Sequence, residues 1–273
     1  MAESSSAPEV KHLQDRGCEL AEQGNWAGAT DCFRKAIELE PSSAVLHELK
    51  AQCLLEQDLL VPALHAARAA TQLSPAWTDA WLTLGRVARN GGHLRESVSS
   101  FRQAQVCVKE SRKTCSEELE QELLEAQGLL QQELARQVGL PGLRIQEQPG
   151  GECGPSGIVW QAGILLAAYL VQHLPLDCLR GKRVLELGSG TGLVGITAAY
   201  LGAHVQLTDV AEAMPLLKLN VALNQHHLAA SGGSMGCVLM DWQTPASCLE
   251  QQDWDIVVGS DLVYNAVAVP LLT

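Results

Sequence analysis

Positive charge is in short supply in this 273-residue chain: 19 Lys and Arg stand against 31 Asp and Glu, a formal net charge of −12. The deficit is even, with 14 basic and 20 acidic residues in 1–140 and 5 and 11 in 141–273. No basic stripe exists, which argues against gripping a phosphate backbone and so against nucleic acid as a partner. Long apolar runs are also missing. None reaches the ~18 residues that a membrane-spanning helix needs, and Met1 to Pro8 has no signal-peptide core. The nine cysteines are odd in number and form no C-x-x-C, so they read as reduced thiols rather than disulfides or zinc ligands. A cytoplasmic protein, with a nuclear pool also allowed, is the expectation. Charged residues make up only 18% against 47% hydrophobic, which argues against disorder and leaves enough apolar chain for real cores.

What is present falls into two halves. In the first, Gly17, Ala51 and Gly85 lie 34 residues apart, as do Ala29, Ala63 and Ser97, then Phe33, Ala67 and Phe101, then Ala36, Ala70 and Ala104. Pro41 and Pro75 keep the same step. That period marks the tetratricopeptide (TPR) helix–turn–helix repeat. Small residues let two helices approach closely, the aromatic fills the gap to the next repeat, and proline ends each second helix. The expected division is 1–9 disordered, 10–111 three repeats, and 112–138 a capping helix. For that last helix Ser116 is the cap, and Leu119, Leu123, Ala126, Leu130 and Leu134 form one apolar stripe. Some TPR arrays clamp the C-terminal carboxylate of chaperones with Lys, Asn and Arg side chains. The matching places here hold Gln14, Cys18, Leu49, Asp79 and Thr83. The partner expected for the array is therefore a protein, but not a chaperone tail.

A linker at 139–142 opens the second half, 143–273. Short apolar runs alternate there with helical patterns: Leu143–Gln146 as a strand, a glycine-rich loop at 150–157, and Trp160–Leu174 as a helix. Strands follow at 183–187, 204–208, 236–240 and 255–259, with helices at 193–201 and 211–224. This order implies a doubly wound, Rossmann-like parallel sheet, so the whole is multidomain, α followed by α/β. The first of those four strands runs into Gly188-Ser189-Gly190-Thr191-Gly192. Glycines allow positive φ and a ligand close to the backbone. Gly190, Gly192 and Gly195 also fit the dinucleotide spacing, so the turn alone leaves open an NAD-dependent enzyme. Glu186 just before it suits an adenosyl sulfonium ligand, whose ammonium an acid attracts. Asp209, closing the next strand, can accept two ribose hydroxyls or can cap the following helix.

Gly157-Ile158-Val159-Trp160-Gln161-Ala162, Glu186 to Gly195, Asp209, Leu217-Lys218-Leu219-Asn220-Val221, Asp241-Trp242 and Ser260-Asp261-Leu262-Val263-Tyr264 follow in order. Together they resemble the seven-β-strand, S-adenosylmethionine-dependent protein-lysine methyltransferases of methyltransferase family 16. The resemblance implies S-adenosylmethionine as cofactor and an accessible lysine on a protein as substrate. It implies that Gly188, Ser189 and Gly190 lie against the methionine part, Asp209 holds the ribose, and Trp242 packs on adenine. Trp160 would wall the pocket, Ser260 would present backbone to the ligand, and Asp261 with Tyr264 would lie near the substrate lysine. As ordinary structure, Trp160 and Trp242 would be core aromatics and Tyr264 a helix anchor. No metal site is expected; His226-His227 reads as solvated. The family sheet has strand order 3-2-1-4-5-7-6, and Thr273 follows the fourth strand, so a truncated domain, prone to aggregation and poor in turnover, is the expectation. The rival reading of the whole is a TPR scaffold carrying a vestigial, inactive methyltransferase domain.

Overall fold

The computed structural model describes residues 6–110, 117–149, 152–175, 177–242 and 253–262. Ser116, Val263 and Tyr264 therefore lie outside the described residues. The chain divides into two compact units, 1–130 and 131–273.

Unit 1 is three helical hairpins. They are α1 (Ser6–Glu22) with α2 (Trp26–Leu39), α3 (Ala44–Glu56) with α4 (Leu60–Leu73), and α5 (Thr78–Asn90) with α6 (Leu94–Glu110). Each hairpin takes one 34-residue period, and Pro41 and Pro75 follow the ends of α2 and α4. Asn25 caps α2 by accepting from Gly28 N at 3.1 Å. The aromatic at the repeat position packs against the glycine of its own hairpin and shares a core cluster with the helix that follows: Phe33 with Leu46 and Cys53, Phe101 with Leu119 and Ala126. A Cβ on Gly17 would lie 2.7 Å from the Phe33 ring, and one on Gly85 would lie 2.5 Å from the Phe101 ring. The second hairpin has Ala51 and Ala67 at these places, both fully buried. A methyl group on each helix there replaces the ring over a bare backbone, which explains why a repeat without glycine or aromatic still packs. Ser97, also buried, donates from Oγ to Gly85 O at 2.8 Å.

Two expectations need correction here. Helix α1 starts at Ser6, so residues 6–9 are helical; Glu9 lies in its first turn, and Val10, one residue further, is already buried in the core. The helix expected to cap the repeats, α7 (Glu117–Val138), is shared. Leu119 and Ala126 belong to a core cluster with Phe101, whereas Leu134 and Val138 belong to the main core of unit 2.

Unit 2 contains α8 (Gln161–Gln172), β1 (Arg183–Glu186), α9 (Leu193–Tyr200), β2 (His204–Asp209), α10 (Met214–Asn224), α11 (Leu228–Ser231), β3 (Ser234–Leu239) and β4 (Ile256–Val258). The described strands form one sheet in the order β3-β2-β1-β4, every pairing parallel. Val184 and Leu207 of the sheet, Ile196 of α9 and Leu217 of α10 are among the most deeply buried residues of this unit.

Leu143–Gln146 forms no strand. It is extended, and its backbone is held by amide side chains instead of a neighbouring strand. Arg144 N donates to Asn224 Oδ1 at 3.0 Å, and Asn224 Nδ2 donates to Arg144 O at 2.6 Å. Gln146 N donates to Asn220 Oδ1 at 2.8 Å, and Asn220 Nδ2 donates to Gln146 O at 3.1 Å. Asn220 and Asn224 are one helical turn apart on α10 and lie on one face. They therefore clasp alternate residues of an extended chain. Gln131 completes the arrangement, accepting from Ile145 N at 2.7 Å and donating to Ile145 O.

Candidate active site

The site is built where β1 and β2 end. Gly188, Gly190 and Gly192 all have positive φ, at 58°, 54° and 82°. A side chain at Gly192 would lie 2.7 Å from Leu217. The turn is anchored from several sides. Ser189 N donates to Thr208 O at 2.8 Å, and Thr208 N donates to Ser189 Oγ at 3.0 Å. Asn220 Nδ2 donates to Thr191 O at 2.9 Å, so the asparagine that fixes the 144–146 segment also fixes the glycine turn.

Asp209 faces this turn. Its Oδ2 accepts from Gly190 N at 2.6 Å and its Oδ1 from Val210 N at 2.8 Å. Helix α10 begins five residues later with Ala213 at its cap position and no side-chain cap, which rules out the capping reading of Asp209. Burial raises the carboxyl pKa above its ordinary value, opposed by the backbone N–H groups of Gly190 and Val210 and by the Ser156 hydroxyl. An ionised carboxylate has about four lone-pair sites. Backbone N–H groups take two of these and the Ser156 hydroxyl a third, so a ligand hydroxyl would take the remaining site and a second would replace Ser156.

Ser156 was not singled out by its sequence, yet its carbonyl oxygen would lie 3.3 Å from a Cβ on Gly190. It sits in a short 3-10 turn, Gly154–Gly157, whose end is tied down by Gln148 N donating to Gly157 O at 2.6 Å. Val159 N donates to Glu147 Oε1 at 2.6 Å. Trp160 then stands at the cap position of α8, half exposed, donating from Nε1 to Pro155 O at 2.9 Å. It is thus not a core aromatic.

On the other flank, Trp242 Cζ2 would be 3.4 Å from a Cβ on Gly188, and Leu262 Cδ2 would be 2.8 Å from it. Leu262 is a second residue whose place sequence reasoning missed; its only signal was its position between Asp261 and Tyr264. Trp242 packs with Leu185, Met240 and Trp254. Ser260 Oγ would lie 3.4 Å from a Cβ on Gly163, at the start of α8. Asp261 is exposed and has left-handed backbone, φ 56°, a conformation rare outside glycine but most tolerated by Asp and Asn. The structure thus gathers Gly188, Ser189, Gly190, Asp209 and Trp242 around one turn. Ser260 and Asp261 follow the end of β4, which pairs with β1.

Glu186 departs from its expected part. It is 2% exposed, and its Oε2 is buried with no hydrogen-bond partner among the described residues. That oxygen would be 2.5 Å from a Cβ on Gly195, the third glycine of the spacing. Burial raises its pKa to about 8. The Ser189 hydroxyl and the Gly195 N–H oppose that shift, and its Oε2 is directed at the packing of α9 on the sheet. His227 also departs: it is partly buried, 5.3 Å from the Tyr200 ring, and burial lowers its pKa. Among the described residues no group of His, Cys, Asp and Glu could hold a metal, and no described helix is long and apolar enough to cross a membrane.

A parallel sheet in the order 3-2-1-4, with a glycine turn after its first strand facing a carboxylate at the end of its second, defines a Rossmann-like unit. Residues 139–273 match the family described as lysine methyltransferase, and the 34-residue period and paired helices of unit 1 are those of a TPR array. The chain is 38% identical over 130 residues to EEF1A lysine methyltransferase 3 of Xenopus tropicalis, covering 48% of this chain and 55% of that one. It is 39% identical over 151 residues to protein-lysine N-methyltransferase EFM6 of Saccharomyces cerevisiae, covering 49% and 61%. It thus spans a little over half the length of these curated relatives. Among solved structures, the Sgt2 TPR domain from Aspergillus fumigatus aligns with a TM-score of 0.44 at 18% identity, over 55% of this chain and 98% of that one.

Proposed function

We propose that unit 2 binds S-adenosylmethionine and transfers its methyl group to a lysine of a protein recruited by the TPR array. The observation that carries this reading is the 2.6 Å bond from Gly190 N to Asp209 Oδ2, which fixes a bare backbone turn opposite a buried carboxylate. The relatives named as lysine methyltransferases support the choice of acceptor. The residues present fit the cofactor. Asp209 takes the ribose hydroxyls, Gly188 to Gly190 offer backbone without side chains, and Trp242 beside Gly188 offers a flat apolar face for the adenine. Trp160, on the same segment as Ser156, walls the outer side, and Ser260 faces the start of α8.

The cofactor supplies an electrophilic methyl group on a positive sulfur. Its transfer to a neutral lysine amine would form a C–N bond as the C–S bond breaks, the electron pair staying on sulfur. The protein's task is alignment. Lysine must arrive unprotonated although its free pKa is ~10.4; an apolar pocket and a nearby positive charge both lower it. Asp261, with Tyr264, orients the amine and steadies the charge that grows on nitrogen. The cytoplasm, with the nucleus, is the location that suits reduced thiols such as those at Cys18, Cys53 and Cys237. Mass spectrometry of a protein extract incubated with the purified chain and S-adenosylmethionine tests the reading: methyl-lysine is expected with wild type and strongly reduced with Asp261→Asn. Full cofactor binding with no methylated product would instead favour an adaptor with a silent domain.

A further inference from the structure

Unit 1 contains a cavity of about 380 Å³ walled by α1, α2, α3 and α5. Its volume is within the ordinary range for ligand pockets. Trp26, Leu49 and Leu55 give it apolar walls, and Glu22 and Glu56 stand at it with their carboxylates exposed. Neither has an ion-pair partner among the described residues. The one cation lining the cavity, Arg86, is already neutralised. It donates from Nε to Glu122 Oε1 at 2.6 Å and from Nη2 to Glu118 Oε1 at 2.7 Å. Behind the lining, the buried Glu48 accepts from Thr83 Oγ1 at 2.6 Å and from Gln52. The negative field is felt by neighbouring groups. Glu22 and Asp15 hold the Cys18 thiol pKa up in addition to burial, and Asp79 does the same for Glu48.

Cys18, Leu49 and Thr83 line this cavity and are three of the places where carboxylate-clamping repeats carry amides and cations. The polarity of the site is therefore inverted. We propose that this cavity is a docking site for a protein segment presenting a lysine or arginine next to an apolar side chain. The long aliphatic stem of such a residue lies along apolar walls while its charged head reaches a carboxylate, and Trp26 offers a ring face to the cation. Glu22 and Glu56 then complete the charge pairing that the chain itself leaves open. This surface lies wholly in unit 1, and the inference does not depend on methyl transfer by unit 2.

Fluorescence anisotropy on the full chain, without cofactor, tests it. The probes are a fluorescein-labelled peptide of alternating lysine and leucine and its counterpart with glutamate for lysine. The lysine peptide is expected to bind, and the glutamate peptide is not. The exposed pair Glu22→Gln/Glu56→Gln is expected to weaken binding about tenfold. Glu9→Gln/Glu40→Gln, which removes equal charge outside the cavity, is expected to leave it unchanged. Equal loss in both double variants, or preference for the glutamate peptide, would overturn the proposal. Circular dichroism of each variant guards against misfolding, and a folded Glu22→Gln/Glu56→Gln protein that binds like wild type also overturns it.

Discussion

A buried carboxyl group with an oxygen left unbonded is costly when charged, and Glu186 is such a group. Its folded pKa of about 8 lies above the ordinary 4.5. The folded state therefore holds its proton more tightly than the unfolded state across that interval. By linkage, the stability it contributes is complete below about 4.5 and is lost as pH rises towards 8. Glu186→Gln keeps the neutral shape and removes the titration. In thermal melts, the fall in Tm between about pH 5 and pH 8 is expected to be smaller for this variant than for wild type. An identical fall in both would contradict the burial argument. Gly195 is the matching constraint, since a Cβ there would meet Glu186 Oε2 at 2.5 Å and Leu207 at 3.0 Å. Gly195→Ala is expected to destabilise unit 2 by roughly 1–3 kcal/mol, read by chemical denaturation. The acid at 186 and the glycine spacing were both visible in the sequence. Their relation was not, because a strand residue and a helix residue nine positions apart meet only once α9 has folded onto β1.

At the level of elements, α10 joins structure to site. Asn220 is fully buried, and its one amide group serves Gln146 N, Gln146 O and Thr191 O. Asn220→Ala strands all three, at a cost of about 2 kcal/mol or more. It is also expected to loosen the glycine turn, so cofactor affinity should fall even where the folded fraction is restored by lower temperature. A variant that loses stability but binds S-adenosylhomocysteine with unchanged affinity would show that the turn does not need this anchor. The sequence conveyed the elements of unit 2 well, because buried parallel strands and their helices have distinct periods. It misplaced 143–146, where the alternation Leu-Arg-Ile-Gln looks like a strand but finds amide side chains rather than a partner strand. It also misjudged α7, whose single apolar stripe of leucines, periodic from end to end, carries no mark of where one core stops and the next begins.

For the whole molecule, the proposed function assigns recognition to one unit and chemistry to the other. A module that holds the substrate raises its effective concentration at a catalytic site that need not bind it strongly. Glu22→Gln/Glu56→Gln is therefore expected to raise KM for a protein substrate while leaving kcat and S-adenosylhomocysteine affinity as in wild type. A change in kcat alone would contradict this division. The 34-residue period made the repeat architecture legible at once, since it returns the same small and aromatic residues to the same contact three times. The acid-lined cavity between helices was not legible, because its walls come from four helices whose mutual rotation no single period encodes.

The central claim is that the turn at Gly188–Gly192 and the carboxylate of Asp209 form one nucleoside cradle. Calorimetric titration of S-adenosylhomocysteine into the purified chain, wild type beside Asp209→Ala, tests this most directly. Saturable one-to-one binding by wild type and its loss in a folded Asp209→Ala variant is the predicted result. Binding of equal strength in both, or none in either, would contradict the account.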